Sequence, residues 1–150
     1  MTLPVYIVNG PNLNMLGARE PEIYGHETLS DIEARCKTHA AALGLQIECF
    51  QSNIEGELVN RLQSAAKSAS GVIINAGAYS HTSLALLDAI AILKIPVIEV
   101  HLSNIYRREA YRQFSYVSQK ATGVISGLGS EGYLLALTAM AKILRQAQGA

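Results

Sequence analysis

Short apolar runs alternate along this chain with longer segments in which apolar residues recur every three or four positions. The runs at 3–8, 45–50, 72–74, 95–100 and 123–125 predict strands, and the periodic segments at 28–43, 55–69, 82–93 and 131–145 predict helices. In the first helix Leu29, Ile32, Cys36, Ala40 and Leu43 form the apolar stripe; Thr28 or Ser30 offers a cap and Gly44 a stop. Run 45–50 alternates apolar and polar residues, as a half-covered strand near a sheet edge does. Pro96 stands at the start of its run, where a missing N–H is tolerated. A further short helix is expected over 107–113.

Strands separated by helices in this way imply parallel βαβ units with right-handed crossovers. The expected fold is α/β, a flavodoxin-like three-layer sandwich around a five-stranded parallel sheet of order 2-1-3-4-5. A barrel of the same units needs about 250 residues. No linker, repeat or low-complexity tract interrupts the pattern, so residues 1–150 are read as one domain. Open parallel sheets bind ligands beyond the carboxyl ends of their strands, where strand order reverses. Here that point falls between the first and third strands, after which come Asn9-Gly10-Pro11-Asn12 and Asn75-Ala76-Gly77-Ala78-Tyr79-Ser80-His81. The fourth strand runs out through Glu99-Val100-His101-Leu102-Ser103, so polar side chains converge on one sheet edge.

Composition removes whole classes of function. Twelve basic and twelve acidic side chains give no net charge, and no basic excess marks a nucleic-acid surface. No apolar stretch approaches the roughly 20 residues of a membrane span. The N-terminus has no basic region leading into an apolar segment, so a cytoplasmic protein is expected. Cys36 and Cys49 form no CxxC pair and are read as reduced packing residues.

The loop after the first strand is the richest in chemistry. Within residues 8–25 it carries asparagines and glycines, then Arg19 five residues before Tyr24. A guanidinium so close in sequence can depress a phenol's pKa and make it a base. The chain resembles the type II 3-dehydroquinate dehydratases in NGPNLNMLGAREPEIYG at 9–25, FQSNIEGELV at 50–59, INAGAYSHTSLALLDAI at 74–90 and VIEVHLSNIYRREAYR at 97–112. A weaker block, GVISGLGSEGYLLAL, lies at 123–137. The resemblance spans essentially the whole chain. It implies removal of water from 3-dehydroquinate to give 3-dehydroshikimate, through an enolate and without a cofactor or metal.

The resemblance also implies roles. Tyr24 is the base that takes the proton alpha to the ketone, a task an unperturbed phenol of pKa about 10 does poorly, and Arg19 lowers its pKa. His101 is the general acid for the departing hydroxide. Glu99, two residues earlier on the same strand face, orients the imidazole and raises its pKa. Asn12 helps hold the enolate oxygen through a water. Asn75 and His81 contact substrate, the backbone amides of Leu102 and Ser103 cradle its carboxylate, and Arg112 binds a hydroxyl. Asp88, seven residues after His81 on what is read as the same helix, reaches a neighbouring subunit's site. Trimers assembling into a dodecamer follow from the same resemblance. Residues 15–25, flanked by glycines and poor in apolar anchors, are expected to close over the site as a lid.

Departures from the family pattern are Ile54, Ala76, Leu87, Tyr106, Arg107, Gln113 and Phe114, none at a position assigned to catalysis. They do not separate a role in aromatic biosynthesis from one in quinate breakdown. Other classes fit less well. A flavin-binding module wants a Ser/Thr-rich loop after the first strand, and a phospho-receiver wants acids where Asn9 and Asn75 stand. A metal hydro-lyase built on His81, Glu99 and His101 is the remaining alternative.

Overall fold

The computed structural model describes residues 2–18 and 20–149, and the side chains of Ile23 and Tyr24 lie outside the described set along with Arg19. Strands β1 (Val5–Asn9), β2 (Ile47–Gln51), β3 (Gly71–Asn75), β4 (Val97–His101) and β5 (Gly123–Ser126) form one sheet in the order β2-β1-β3-β4-β5. Every pairing is parallel. The expected order is therefore the observed one. The two edge strands, β2 and β5, are only half covered, whereas β1, β3 and β4 are buried throughout. That is why 45–50 alternates while the central runs are continuously apolar.

Helices α1 (Pro21–Tyr24), α2 (Leu29–Ala42), α3 (Glu55–Ser68), α4 (Leu84–Ile92) and α5 (Glu131–Gly149) complete the order. Period-two alternation along β1 divides the core. Val5 and Ile7 pack with Ile32, Cys36, Leu137 and Met140 of α2 and α5. Tyr6 and Val8 pack with Leu58, Leu62, Leu86 and Ile90 of α3 and α4. Thr28 caps α2 with a reciprocal capping box: its hydroxyl accepts from the Asp31 N–H at 3.1 Å, and its own N–H donates to the Asp31 carboxylate at 3.0 Å. Among the described residues no helix is long and apolar enough to cross a membrane.

Cys36 and Cys49 are free thiols. Burial pushes Cys36 up to about 11 and Cys49 up to about 12, which keeps both protonated and unreactive at neutral pH.

Several local expectations need correction. Helix α4 starts at Leu84, not 82, because the Ser83 hydroxyl accepts from the Leu86 N–H at 2.9 Å and acts as its cap. His81 therefore belongs to a separate 3₁₀ turn, Gly77–His81, and does not share a helix with Asp88. The segment 107–113 is not one helix but two 3₁₀ turns, Ile105–Arg107 and Ala110–Arg112. Helix α5 continues past 145 to Gly149. The expected lid is also less free at its start than its composition suggested: Leu16 is buried in the core beside Leu13.

The loops after β1 and β3 touch where the strand order reverses. A Cβ at Gly10 would lie 2.3 Å from the carbonyl oxygen of Ala76, and Gly77 adopts a φ of +60°. Gly10→Ala is accordingly expected to cost about 1–3 kcal/mol, as overpacking does. A Tm unchanged by that substitution would show that the two loops can separate without penalty.

Candidate active site

Beyond the carboxyl ends of β1, β3 and β4 lies a cavity of about 160 Å³ lined by Asn12, Asn75, Gly77, His81, His101, Leu102, Ser103, Arg108 and Arg112, among others. Its volume suits a small polar metabolite better than a dinucleotide. The sheet places most of the lining residues. Asn9 and Asn75 are register partners on β1 and β3, so the loops that follow leave the sheet side by side. His101 is the last residue of β4.

The strongest electrostatic feature is the His101–Glu99 pair. Glu99 is fully buried and His101 is 5 % exposed. His101 Nε2 contacts Glu99 Oε2, and two serines share the carboxylate: Ser115 Oγ lies 2.6 Å from Oε2, and Ser118 Oγ hydrogen-bonds Oε1. Burial drives the Glu99 pKa upward, but His101 and the two hydroxyls outweigh it and hold the group below the usual carboxylate range. An anionic Glu99 accepts from His101 Nε2–H.

His81 stacks near His101 with ring centroids 6.4 Å apart. Its Nδ1 lies 2.7 Å from the Phe114 carbonyl oxygen. A carbonyl can only accept, so Nδ1 carries the proton and Nε2 is left for a ligand. His81, Glu99 and His101 do not form a metal-ligand set, since Glu99 is engaged on both oxygens and His81 Nδ1 is taken up by backbone. Among the described residues no group of three His, Cys, Asp or Glu is arranged to hold a metal ion.

The asparagines are held by residues that the sequence did not point to. Asn75 Nδ2 donates to the Tyr133 hydroxyl at 3.0 Å, and its Oδ1 accepts from the Gly77 N–H at 3.2 Å. Tyr133 in turn donates to Asn9 Oδ1. Burial pushes the Tyr133 phenol above its ordinary range, so it acts as a neutral strut. Asn12 sits in the left-handed region at φ 68°, its N–H donating to Asn53 Oδ1 at 3.0 Å. Gln51 links Asn53 and the Gly10 carbonyl.

The cationic side of the cavity is Arg108 and Arg112. Arg112 Nε lies 3.2 Å from Glu109 Oε2 but outside hydrogen-bonding geometry, and its guanidinium lies over the Tyr111 ring, 5.5 Å from the centroid. Arg108 was not singled out by the sequence. Gln113 Nε2 braces the Arg108 carbonyl at 2.8 Å, which gives one of the departing residues a structural task.

Of the expected site residues, Asn12, Asn75, His81, His101, Leu102, Ser103 and Arg112 line one cavity, with Glu99 directly behind His101. Asp88 is exposed on α4 and does not line it. Arg19 and the side chain of Tyr24 lie outside the described residues; the backbone of Tyr24 ends α1. Sequence reasoning missed Asn53, Arg108, Ser115, Ser118 and Tyr133. Asn53, Arg108 and Tyr133 fall within the blocks of resemblance at 50–59, 97–112 and 123–137, and no spacing marks Ser115 or Ser118.

Comparison with known proteins addresses the chain as a whole. The family model described as dehydroquinase class II matches residues 3–141. A 3-dehydroquinate dehydratase of Brucella canis is 56% identical over 146 residues, covering 97% of this chain and 93% of its own. Its counterpart in Cereibacter sphaeroides strain KD131 is 54% identical over 137 residues, covering 91% and 93%. The crystal structure of a type II dehydroquinase from Propionibacterium acnes superposes with a TM-score of 0.91 at 44% identity, covering 95% of this chain and 98% of that one. A match over this span, with this fold and this cavity, means that the chain belongs to the class II dehydroquinase family.

Proposed function

We propose that the protein is a 3-dehydroquinate dehydratase, a hydro-lyase that removes water from 3-dehydroquinate to give 3-dehydroshikimate, with its general role in the shikimate pathway. The observation that carries the reading is a buried His–Glu pair opening onto a small polar cavity in a chain with this family match. The test is direct: incubation with 3-dehydroquinate should produce the ultraviolet absorbance of a conjugated enone. A protein that binds the compound but never produces that absorbance would end the reading.

In the mechanism we favour, the Tyr24 phenolate takes the proton alpha to the ketone, and the electron pair moves into an enolate. Arg19 keeps the phenol acidic enough to be ionised. Asn12, held by Asn53, supports the enolate oxygen through water. The enolate then re-forms the ketone, the carbon–oxygen bond breaks, and His101 supplies the proton that lets the hydroxyl leave as water. Asn75 and the free Nε2 of His81 bind substrate hydroxyls. Backbone amides of Leu102 and Ser103 receive the carboxylate, and Arg112 a hydroxyl. This chemistry calls on no cofactor.

No lysine enters it. Lys37, Lys67, Lys94, Lys120 and Lys142 are all exposed, and none lines the cavity. Borohydride added with substrate should leave activity and mass unchanged. An adduct trapped on any of these lysines would replace the enolate route with an imine.

Asp88 is best explained by assembly. Leu84 and Ile92 are 57% and 63% exposed on α4, and Ala85, Asp88 and Ala91 are exposed with them. An apolar stripe of this kind usually marks an interface. We read it as the contact of a trimer in which Asp88 completes the neighbour's site, four trimers forming a dodecamer in the cytoplasm. The contact is heterologous and closes in a ring. Asp88→Ala should weaken substrate binding without unfolding the chain, and mixing it with inactive Tyr24→Phe should restore some activity through mixed trimers. A fully active monomer in sedimentation analysis would remove the shared site.

A further inference from the structure

Three donors converge on one buried carboxylate, and two of them are not on the strand that carries it. Ser115 and Ser118 lie one helical turn apart, on either side of the start of the 3₁₀ turn Val117–Gln119. Their hydroxyls reach Glu99 on different oxygens, Ser115 on the one that also faces His101. Ser115 is 7 % exposed. Its oxygen also accepts from the Ser118 N–H at 3.3 Å, which leaves its single proton to point at Glu99. The segment is pinned from behind: Val117 is fully buried, and the Tyr116 N–H donates to the Ser80 carbonyl at 2.8 Å.

From this geometry we infer that Ser115 and Ser118 are positioning residues that decide where the proton of the Glu99–His101 pair resides, keeping it on the imidazole. Hydrogen bonds donated to a carboxylate favour its charged form. With both hydroxyls present, the stable arrangement is carboxylate and imidazolium. Without them, a buried pair can neutralise itself by moving one proton from His101 Nε2 to Glu99 Oε2. That transfer conserves charge and forms O–H as N–H breaks. The neutral imidazole that results still holds a proton on its other nitrogen, but giving it up would leave an imidazolate unless Glu99 returned its own proton, so it is a far weaker acid than the imidazolium.

Other ionisable groups near the pair are few. His81, Arg108 and Arg112 line the same cavity. From α4, packed on the 117–119 turn, the one charged residue is Asp88, which is exposed, and Tyr116 and Lys120 flank that turn. All of these remain in the serine variants, so a change in the titration of His101 reports on the hydroxyls.

The inference rests on reading His101 as the acid, so one arm of its test does not use activity. Nitrogen-15 spectra of the histidines, with His101 assigned by its loss in His101→Gln, follow its protonation against pH in the parent and in Ser115→Ala/Ser118→Ala. The midpoint should move to lower pH by about one unit or more. The basic limb of the kcat profile should move with it, kcat at neutral pH should fall roughly tenfold or more, and KM should stay within about threefold. Ser118→Thr, which keeps the hydroxyl, should behave as the parent. Should the double variant not fold, each single variant should show part of the shift. An unmoved His101 midpoint overturns the inference, as do parallel losses in kcat and KM with an unmoved limb, which would be packing alone. If His101→Gln keeps its activity while the midpoint moves as expected, the acid assignment fails and the proton-placing role stands.

Discussion

Tyr24→Phe is expected to lower turnover by about a thousandfold or more, equivalent to roughly 4 kcal/mol of transition-state stabilisation, while substrate still binds. The substitution removes one oxygen and leaves the ring, so its effect isolates the proton acceptor. The carbon acid alpha to a ketone is weak and needs a strong base; among the described residues His101 is committed to Glu99, and His81, with Nδ1 held by the Phe114 carbonyl, is read as a substrate contact through Nε2. Tyr24 closes α1, which follows Arg19 by two residues and whose C-terminal neighbour Gly25 turns the chain at φ 77°. Arg19→Ala should fall nearly as far, because a phenol of pKa about 10 is mostly protonated at neutral pH without a cation beside it. Stopped turnover and retained binding are the signature, read by kcat together with calorimetric titration of a substrate-like acid. A Tyr24→Phe enzyme within tenfold of the parent, a loss under ~1.4 kcal/mol, would move the base elsewhere.

The sheet was legible because its information is local and periodic. Central strands announced themselves by unbroken apolar runs, the edge strand β2 by alternation, and the order followed from rules of handedness and crossover. The cavity followed as well, because strand ends at a reversal of order are set by topology alone. What stayed hidden depends on contacts distant in sequence. Tyr133 reaches Asn9 across 124 positions, and Asn53 holds Asn12 across 41. Ser115 and Ser118 sit in a stretch whose turns have no apolar period, so nothing in their spacing says that both face Glu99. The misjudged helix at 107–113 has the same origin. Its backbone follows the braces given by Asn104, whose side chain accepts from the Tyr106 N–H at 3.1 Å, and by Gln113. The role proposed for Asp88 rests on resemblance, since an exposed acid on a helix carries no mark of a partner's site.

Glu99→Gln is expected to reduce kcat by about a hundredfold or more, in the range a positioned general acid contributes, with a smaller change in KM. The amide keeps the size of the carboxylate and can still accept from His101, while the hydroxyl of Ser118 can turn to accept from its NH₂. What it cannot do is favour a positive imidazole. Stability should change in a way that depends on pH. Glu99 is held below the usual carboxylate range in the folded chain, so the stabilisation from its ionised form is fully present above its unfolded pKa of about 4.3. It is lost as pH falls through the lower, folded value. The Tm gap between parent and Glu99→Gln, at equal protomer concentration, should therefore be widest near neutrality and close in acid below about pH 4. Glu99→Ala goes further, because it strands His101 and the Ser115 hydroxyl in a buried site and takes the acceptor from the half-buried Ser118. Removing one partner of a buried pair costs about 3–5 kcal/mol, on the order of 10 °C in Tm for a chain of this size. A gap that is the same at acid and neutral pH would mean that Glu99 is not the ionised partner of His101 in the folded protein.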